Sequence, residues 1–321
     1  MHLDLLKKIY IRVISFFFRT AKPRMSIRDL FMWPLASRIL GKEYQKIVPL
    51  DAGFKIHAYM GDHLGRLSIF YGKKLRYFWE PSTTQLVERL STEAKSILVA
   101  GSHIGLMVLH ARSHSDKNTP VHTFEPIRHL YERSILNFNL NTNLGEIHIE
   151  NMALGDSAGV ATMTNDRLRS RILNDNQKTQ LETEKVTVTT IDSYIEHEHI
   201  KPFDLILLDI EGYEEKALRG MEKLLEKTPP KDLIYEISHP SKDNLDAAYK
   251  IQNYLEKFGY RFYIIDDVSD PIYMNLSASE NVTLVEAPHV SVYEQFRRRR
   301  YFNVYATQRA VSDIPFIAEK Q

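Results

Sequence analysis

The sequence predicts an α/β protein: a doubly wound, mostly parallel sheet of seven strands behind a small N-terminal cap of helix and β structure. Three observations carry that expectation. From Ser96 onward short apolar runs alternate with helical stretches, the pattern of βαβ units whose sheet is covered on both sides. Ser96–Ala100 (SILVA) runs into a glycine-bearing turn, Gly101-Ser102-His103-Ile104-Gly105, then into a helical stretch and a second strand closed by Glu125. Phe203–Leu208 is an almost unbroken apolar strand that delivers Asp209 at its carboxyl end.

The elements follow in order. Leu3, Leu6, Tyr10, Val13, Ile14 and Phe17 recur at helical spacing, flanked by Lys7, Lys8, Arg12, Arg19, Lys22 and Arg24. No stretch approaches the roughly 18 apolar residues of a membrane span. Residues 1–24 are therefore read as a helix packing on the domain or on another subunit, or as an amphipathic helix lying on an anionic membrane face. Ile47–Tyr71, punctuated by Gly53, Gly61 and Gly65, reads as short strands and turns. These residues, 1–79, form the expected cap, and 80–321 the main domain. A helix starts at Glu80-Pro81-Ser82, with Thr84, Leu86, Val87 and Leu90 on its inner face.

Strands are expected at Ile97–Ala100, Val121–Phe124, Ile147–Asn151, Leu205–Asp209, Leu233–Ile237, Tyr260–Ile265 and Phe302–Thr307. Helices are expected near Ile104–Ser113, Ile127–Asn141, Tyr213–Lys227 and Asp243–Phe258. Lys185–Thr190 alternates Val and Thr and pairs with Gly159–Thr164 as an inserted hairpin. The polar stretch Ser157–Glu184 is read as a loop over the site.

Composition narrows the function classes. With 42 Lys and Arg against 41 Asp and Glu the chain is nearly neutral, unlike a general nucleic-acid binder. It has no cysteine, which excludes disulfides and thiolate metal sites and suits a cytoplasmic setting. In that setting the sequons at Asn275 and Asn281 are read as chance.

The glycine spacing separates kinds of cofactor. A dinucleotide turn needs G-x-G-x-x-G, so that backbone can approach a pyrophosphate. Here His103 takes the middle position and the third glycine is absent. The GxxxxGK[ST] phosphate loop is absent too. The turn suits a nucleoside without phosphates, of which S-adenosylmethionine is the common one, and Glu125 sits where a ribose hydroxyl pair would be gripped. Packing glycines at an ordinary strand–helix turn are the alternative.

Other acids fall at strand ends. Asp209 and Glu211, in Asp209-Ile210-Glu211-Gly212-Tyr213-Glu214, are read as facing a methyl donor or a substrate hydroxyl. Glu214 is read as a solvated acid at a helix start. Glu236 ends the next apolar strand above the same crevice. His239 beyond it is either a base for an alcohol substrate or a loop residue without a role. Asp156 is either an acceptor for the adenine amino group or a turn residue beside Gly155. Glu196-His197-Glu198-His199 lacks metal-ligand spacing and reads as a solvated helix end, so no metal site is expected. Arg297–Arg300 reads as a solvated charge run, or else as an anion-binding rim.

Taken together these motifs resemble the FkbM-type methyltransferases, a branch of the Rossmann-like S-adenosylmethionine-dependent enzymes. The pattern D-x-G-A-N-x-G, F-E-P, A-L-s-D, K-x-D-x-E-G-x-E and a strand ending in Glu is met by five segments. They are Val99–Gly105, Phe124-Glu125-Pro126, Ala153–Asp156, Leu207–Glu214 and Ile234-Tyr235-Glu236. The resemblance covers about Glu80 to Pro240 and implies an antiparallel last strand. It also implies O-methylation of a saccharide or small-molecule hydroxyl. Gly101, Ser102, His103, Gly105, Glu125, Asp156 and Asp209 would frame the cofactor, and Asp209, Glu211, Glu236 and His239 would line the reaction crevice. Val99 replaces the first Asp, His103 the Asn, and Leu207 the Lys. Those departures raise a second expectation, a relative that keeps the fold without turnover; a nucleotide-sugar or NAD-dependent enzyme on a similar sheet is a third. A homo-oligomer and contact with the inner face of the membrane are further expectations.

Overall fold

The computed structural model describes residues 2–21, 31–77, 79–164, 172, 180–238, 242–266, 282, 284–289, 291–293 and 301–314. The chain begins with helices α1 (His2–Ala21) and α2 (Trp33–Leu40), a hairpin of β1 (Gln45–Pro49) and β2 (Lys55–Tyr59), and helix α3 (His63–Tyr71). The last element is a correction, because the sequence there reads as strands and turns. Asp62 caps α3 by accepting the Gly65 amide hydrogen, and Leu64, Leu67, Phe70 and Tyr71 are buried. Burial of those side chains, about 1.5–3 kcal/mol each, outweighs the roughly 1 kcal/mol cost of a glycine in the helix.

The main domain continues through α4 (Pro81–Ser91), β3 (Ile97–Ala100), α5 (Leu106–His114), β4 (Val121–Phe124), α6 (Arg128–Asn139) and β5 (His148–Glu150). Strands β6 (Ala153–Leu154), β7 (Gly159–Thr164) and β8 (Thr183–Thr189) make a separate three-stranded sheet that contains the expected hairpin. Most of the polar loop inside that hairpin, residues 165–171 and 173–179, lies outside the described residues. Helix α7 (Ile191–Glu198) returns the chain to β9 (Leu205–Leu208). Then come α8 (Glu214–Arg219), α9 (Glu222–Lys227), β10 (Asp232–Ser238), α10 (Lys242–Glu256), β11 (Arg261–Ile265), β12 (Leu284–Glu286) and β13 (Tyr301–Thr307).

Among the described residues the main sheet has eight strands in the order β12-β11-β13-β10-β9-β3-β4-β5. Strands β10, β9, β3, β4 and β5 run parallel, and β13 inserts antiparallel between β10 and β11. The expected doubly wound sheet is present, with β12 added at one edge. A three-residue edge strand carries too little periodicity to be read in advance.

Alternate side chains of the central strands enter two apolar clusters. Ile97, Val99, Leu205, Leu207 and Ile234 join one cluster with Ile11, Trp33 and Phe54 of the cap. Leu98, Ala100, Ile206, Leu208 and Tyr235 join another with Leu218, Leu245 and Leu255 from the helices that follow β9 and β10. Burial on both faces explains why these strands are apolar without interruption.

Tyr213–Lys227, expected as one helix, is two. A Cβ on Gly220 would overlap the Gly155 carbonyl, and the Gly220 carbonyl accepts from the Asp192 amide. The Asp192 carboxylate then accepts the amide hydrogens of Lys223 (2.8 Å) and Leu224 (3.0 Å), capping α9 from another helix.

Helix α6 clasps the cap. Asn141 accepts from the Lys55 amide (2.8 Å) and donates to the Lys55 carbonyl, and Asn137 accepts from the His57 amide (2.6 Å). Strand β2 thereby satisfies part of its outer edge with side chains instead of a neighbouring strand.

Candidate active site

The chain passes from β3 to β4 on one flank and later places β9 on the other. The strand order therefore switches between β3 and β9, and the loops above them stand at the carboxyl edge of the sheet, where open α/β sheets bind ligands. Gly101 begins the first loop with φ +84°, and a Cβ there would overlap the Asp209 carbonyl oxygen. Glycine is what lets these two loops touch. At Gly105 (φ +83°) an added Cβ would strike the Phe138 ring. His103 is also left-handed, at φ +52°, a region that His enters more readily than most residues.

The loop is tied from beneath by α6. Ser134 donates to the His103 carbonyl (2.9 Å), its hydroxyl lies 3.2 Å from that of Ser102, and Asn137 donates to the Ile104 carbonyl (2.7 Å). Glu125, buried at the end of β4, accepts the amide hydrogens of His103 (2.8 Å) and Ile127 (3.0 Å). Burial pushes its pKa up to about 8, against the pull of those two amides. Those two bonds leave the carboxyl group further hydrogen-bonding positions.

The second loop, 209–214, carries a left-handed Glu211 at φ +53°. Glu214 is not the solvated acid the sequence suggests. It is buried, and its carboxylate accepts from the Ile210 (3.0 Å) and Gly212 (3.3 Å) amides, closing the loop beneath Asp209. Burial raises its pKa to about 8. An internal clasp and a solvated helix cap have the same sequence signature, an acid in the first turn.

Asp209 and Glu236 come together as expected, and the structure adds Glu80. One carboxylate oxygen from each of the three lies within 4.8 Å of the other two. Glu80 occupies the N-cap of α4 in a left-handed conformation and accepts from the Asn303 amide group at 3.5 Å. Sequence reasoning saw it only as a helix start, since nothing in Glu80-Pro81 reports what faces it. Glu236 is buried and accepts from the Ser238 hydroxyl. Burial first, then the neighbouring Asp209, Glu211 and Glu80, raise its pKa well above the carboxylate range. Such a trio can stabilise a cation, whether a sulfonium or a hard divalent metal, and can accept a proton.

Asp156 stands apart from the trio. It is exposed, accepts from the Ser157 hydroxyl and contributes to raising the Lys216 pKa. His239 and Arg297–Arg300 lie outside the described residues. His197 and Glu198 pair with each other at the exposed end of α7, and Glu196 pairs with Lys223.

A family model described as the methyltransferase FkbM domain matches residues 100–262, just over half of the chain. No curated protein matches. Among solved structures, the chain is similar to the O-methyltransferase from Bacillus cereus in complex with SAH. That match has 14% identity and a TM-score of 0.38, covering 71% of this chain and 81% of that one. It is also similar to precorrin-6y C5,15-methyltransferase from Geobacter metallireducens GS-15, at 9% identity and a TM-score of 0.41, over 72% and 88% of the two chains.

Proposed function

Because the chain belongs to the FkbM methyltransferase family, we propose that it is an S-adenosylmethionine-dependent O-methyltransferase acting on a hydroxyl of a saccharide or other small molecule. The observation that carries this reading is the convergence of Asp209, Glu236 and Glu80 beside the Gly101–Gly105 loop. The residues fit the cofactor by their chemistry, because clustered carboxylates favour a positively charged sulfonium. When bound, S-adenosylmethionine supplies an electrophilic methyl group.

The chain's own residues divide the remaining work. The Gly101-Ser102-His103 backbone and Gly105 shape the nucleoside site. Glu125 accepts from the ribose hydroxyls with the lone pairs its two amide bonds leave over, and Asp156 accepts from the adenine amino group. Burial and the neighbouring acids shift Glu236 toward its neutral form, and Asp209 takes the proton from the acceptor hydroxyl. Glu211 and His239 complete the expected rim. Catalysis then consists chiefly of holding that hydroxyl in line with the methyl group.

Isothermal titration with S-adenosylhomocysteine tests this reading. A saturable heat at micromolar ligand is expected, and no heat at high micromolar concentration removes it. A second reading, a relative without turnover, is favoured by the apolar residues at 99 and 207, where the family pattern has Asp and Lys. Labelled methyl transferred to any acceptor in a cell extract eliminates it.

A further inference from the structure

Helix α1 carries two apolar faces. Tyr10, Ile11 and Ile14 pack against the core. Leu6, Ile9, Val13 and Phe16 are spaced three or four residues apart along another face of the helix, with Phe17 four residues beyond Val13, and all are exposed; Leu6 is 62%, Val13 60% and Phe16 70% accessible. Helix α2 repeats the arrangement. Trp33, Ala36 and Leu40 are buried, while Leu35 and Ile39, with Phe31 one turn before them, are exposed. Both helices rest on α3: α1 packs against it directly, and Trp33 of α2 meets Phe70 at 5.3 Å between ring centroids. A single exposed leucine needs no explanation, but two helices each with an outward apolar stripe do.

The charge around these stripes is predominantly basic, with Asp4 and Glu43 just beyond the outer ends of the two segments. Residues 6–17 hold Lys7, Lys8 and Arg12, residues 31–42 hold Arg38 and Lys42, and neither segment holds an acid. The linking residues 18–30 add Arg19, Lys22, Arg24 and Arg28 against Asp29 alone. The chain as a whole is balanced, so this bias is local. Beside the α2 stripe, Arg38, Lys42, His63 and Arg66 line a cavity of about 680 Å³ with Trp33, Pro34 and Ser37. Among the described residues no helix is long and apolar enough to cross a membrane.

We infer that α1 and α2 together form a docking face for an anionic phospholipid surface. The apolar stripes enter the boundary between headgroups and acyl chains, and the basic residues meet lipid phosphate. A second copy of this chain is a poorer occupant: an isologous contact would set the basic patch of Lys8, Arg12, Arg38 and Lys42 against the same basic patch of the other copy. This inference is independent of the proposed methyl transfer.

Flotation of the full chain with two kinds of vesicle tests it, one of phosphatidylcholine alone and the other of phosphatidylcholine mixed with phosphatidylglycerol. The chain is expected to float with the mixed vesicles only, and to be released as salt rises. Leu6→Gln/Val13→Gln lowers partition while leaving the melting temperature unchanged, because both positions are already exposed. Arg38→Gln/Lys42→Gln lowers it roughly 25-fold, at about fivefold for each basic charge near an anionic surface. Three results overturn the inference: no flotation, equal flotation with both vesicles, or a dimer in sedimentation that Leu6→Gln/Val13→Gln dissolves.

Discussion

Val99 and Leu207 are register partners across β3 and β9, both buried in the same apolar cluster, at 1% and 5% exposure. The family pattern places Asp at the first position and Lys at the second. The two departures therefore meet in one place, an apolar pair standing where the family pattern has an acid and a base, and it leaves no orphan charge. Val99→Asp alone is expected to destabilise the fold by about 3–5 kcal/mol, since it buries a carboxylate with no partner. Leu207→Lys on that background should recover most of the loss, and urea unfolding of the single and double variants measures the coupling. The sequence did show both departures, but not that they touch. Gly101 and Glu125 were legible because their spacing along one βα unit encodes their place. Glu80 and Glu214 were not, because their neighbours come from β10 and from the closed loop above β9.

At the scale of elements, α6 bears the most structural responsibility for the site. Its Asn137 holds the Ile104 carbonyl of the glycine loop with one end of its amide and the His57 amide of the cap with the other. Asn137→Leu leaves both backbone groups without this partner. A loss of about 2–6 kcal/mol is expected in urea unfolding, at roughly 1–3 kcal/mol for each orphaned group. Apolar runs and turn residues located the seven strands of the sequence reading, because buried parallel strands have few alternatives. The break in Tyr213–Lys227 escaped that reading because it arises from Gly220 meeting the Gly155 backbone, a contact between distant segments. Helix α3 escaped because Gly65 within it and Gly61 and Gly72 on either side mimic turns, and only its packing shows otherwise.

For the whole molecule, burial of acids sets the response to pH. Glu125 and Glu214 have folded-state pKa values near 8, against about 4.5 for an exposed Glu. Between those values the folded chain holds more protons than the unfolded one, so their contribution to stability falls as pH rises and is lost by about pH 8. The melting temperature should decline from about pH 5 to pH 8, and Glu214→Gln should flatten that decline, because its amide oxygen still accepts the Ile210 and Gly212 bonds without acquiring charge. The order of the main sheet was legible as a class, since alternating strands and helices admit few topologies. The cap's attachment was not, because it depends on Asn137 of α6 and Asn141 just past its end, polar residues where the helical pattern only asks for an apolar stripe. That attachment bears on recombination between relatives. A chimera with its crossover near residue 80 would take β2 from one parent and α6 from the other. It would keep the cap docked on α6 only if the parent supplying α6 also presents two amide side chains one turn apart, as Asn137 and Asn141 are here.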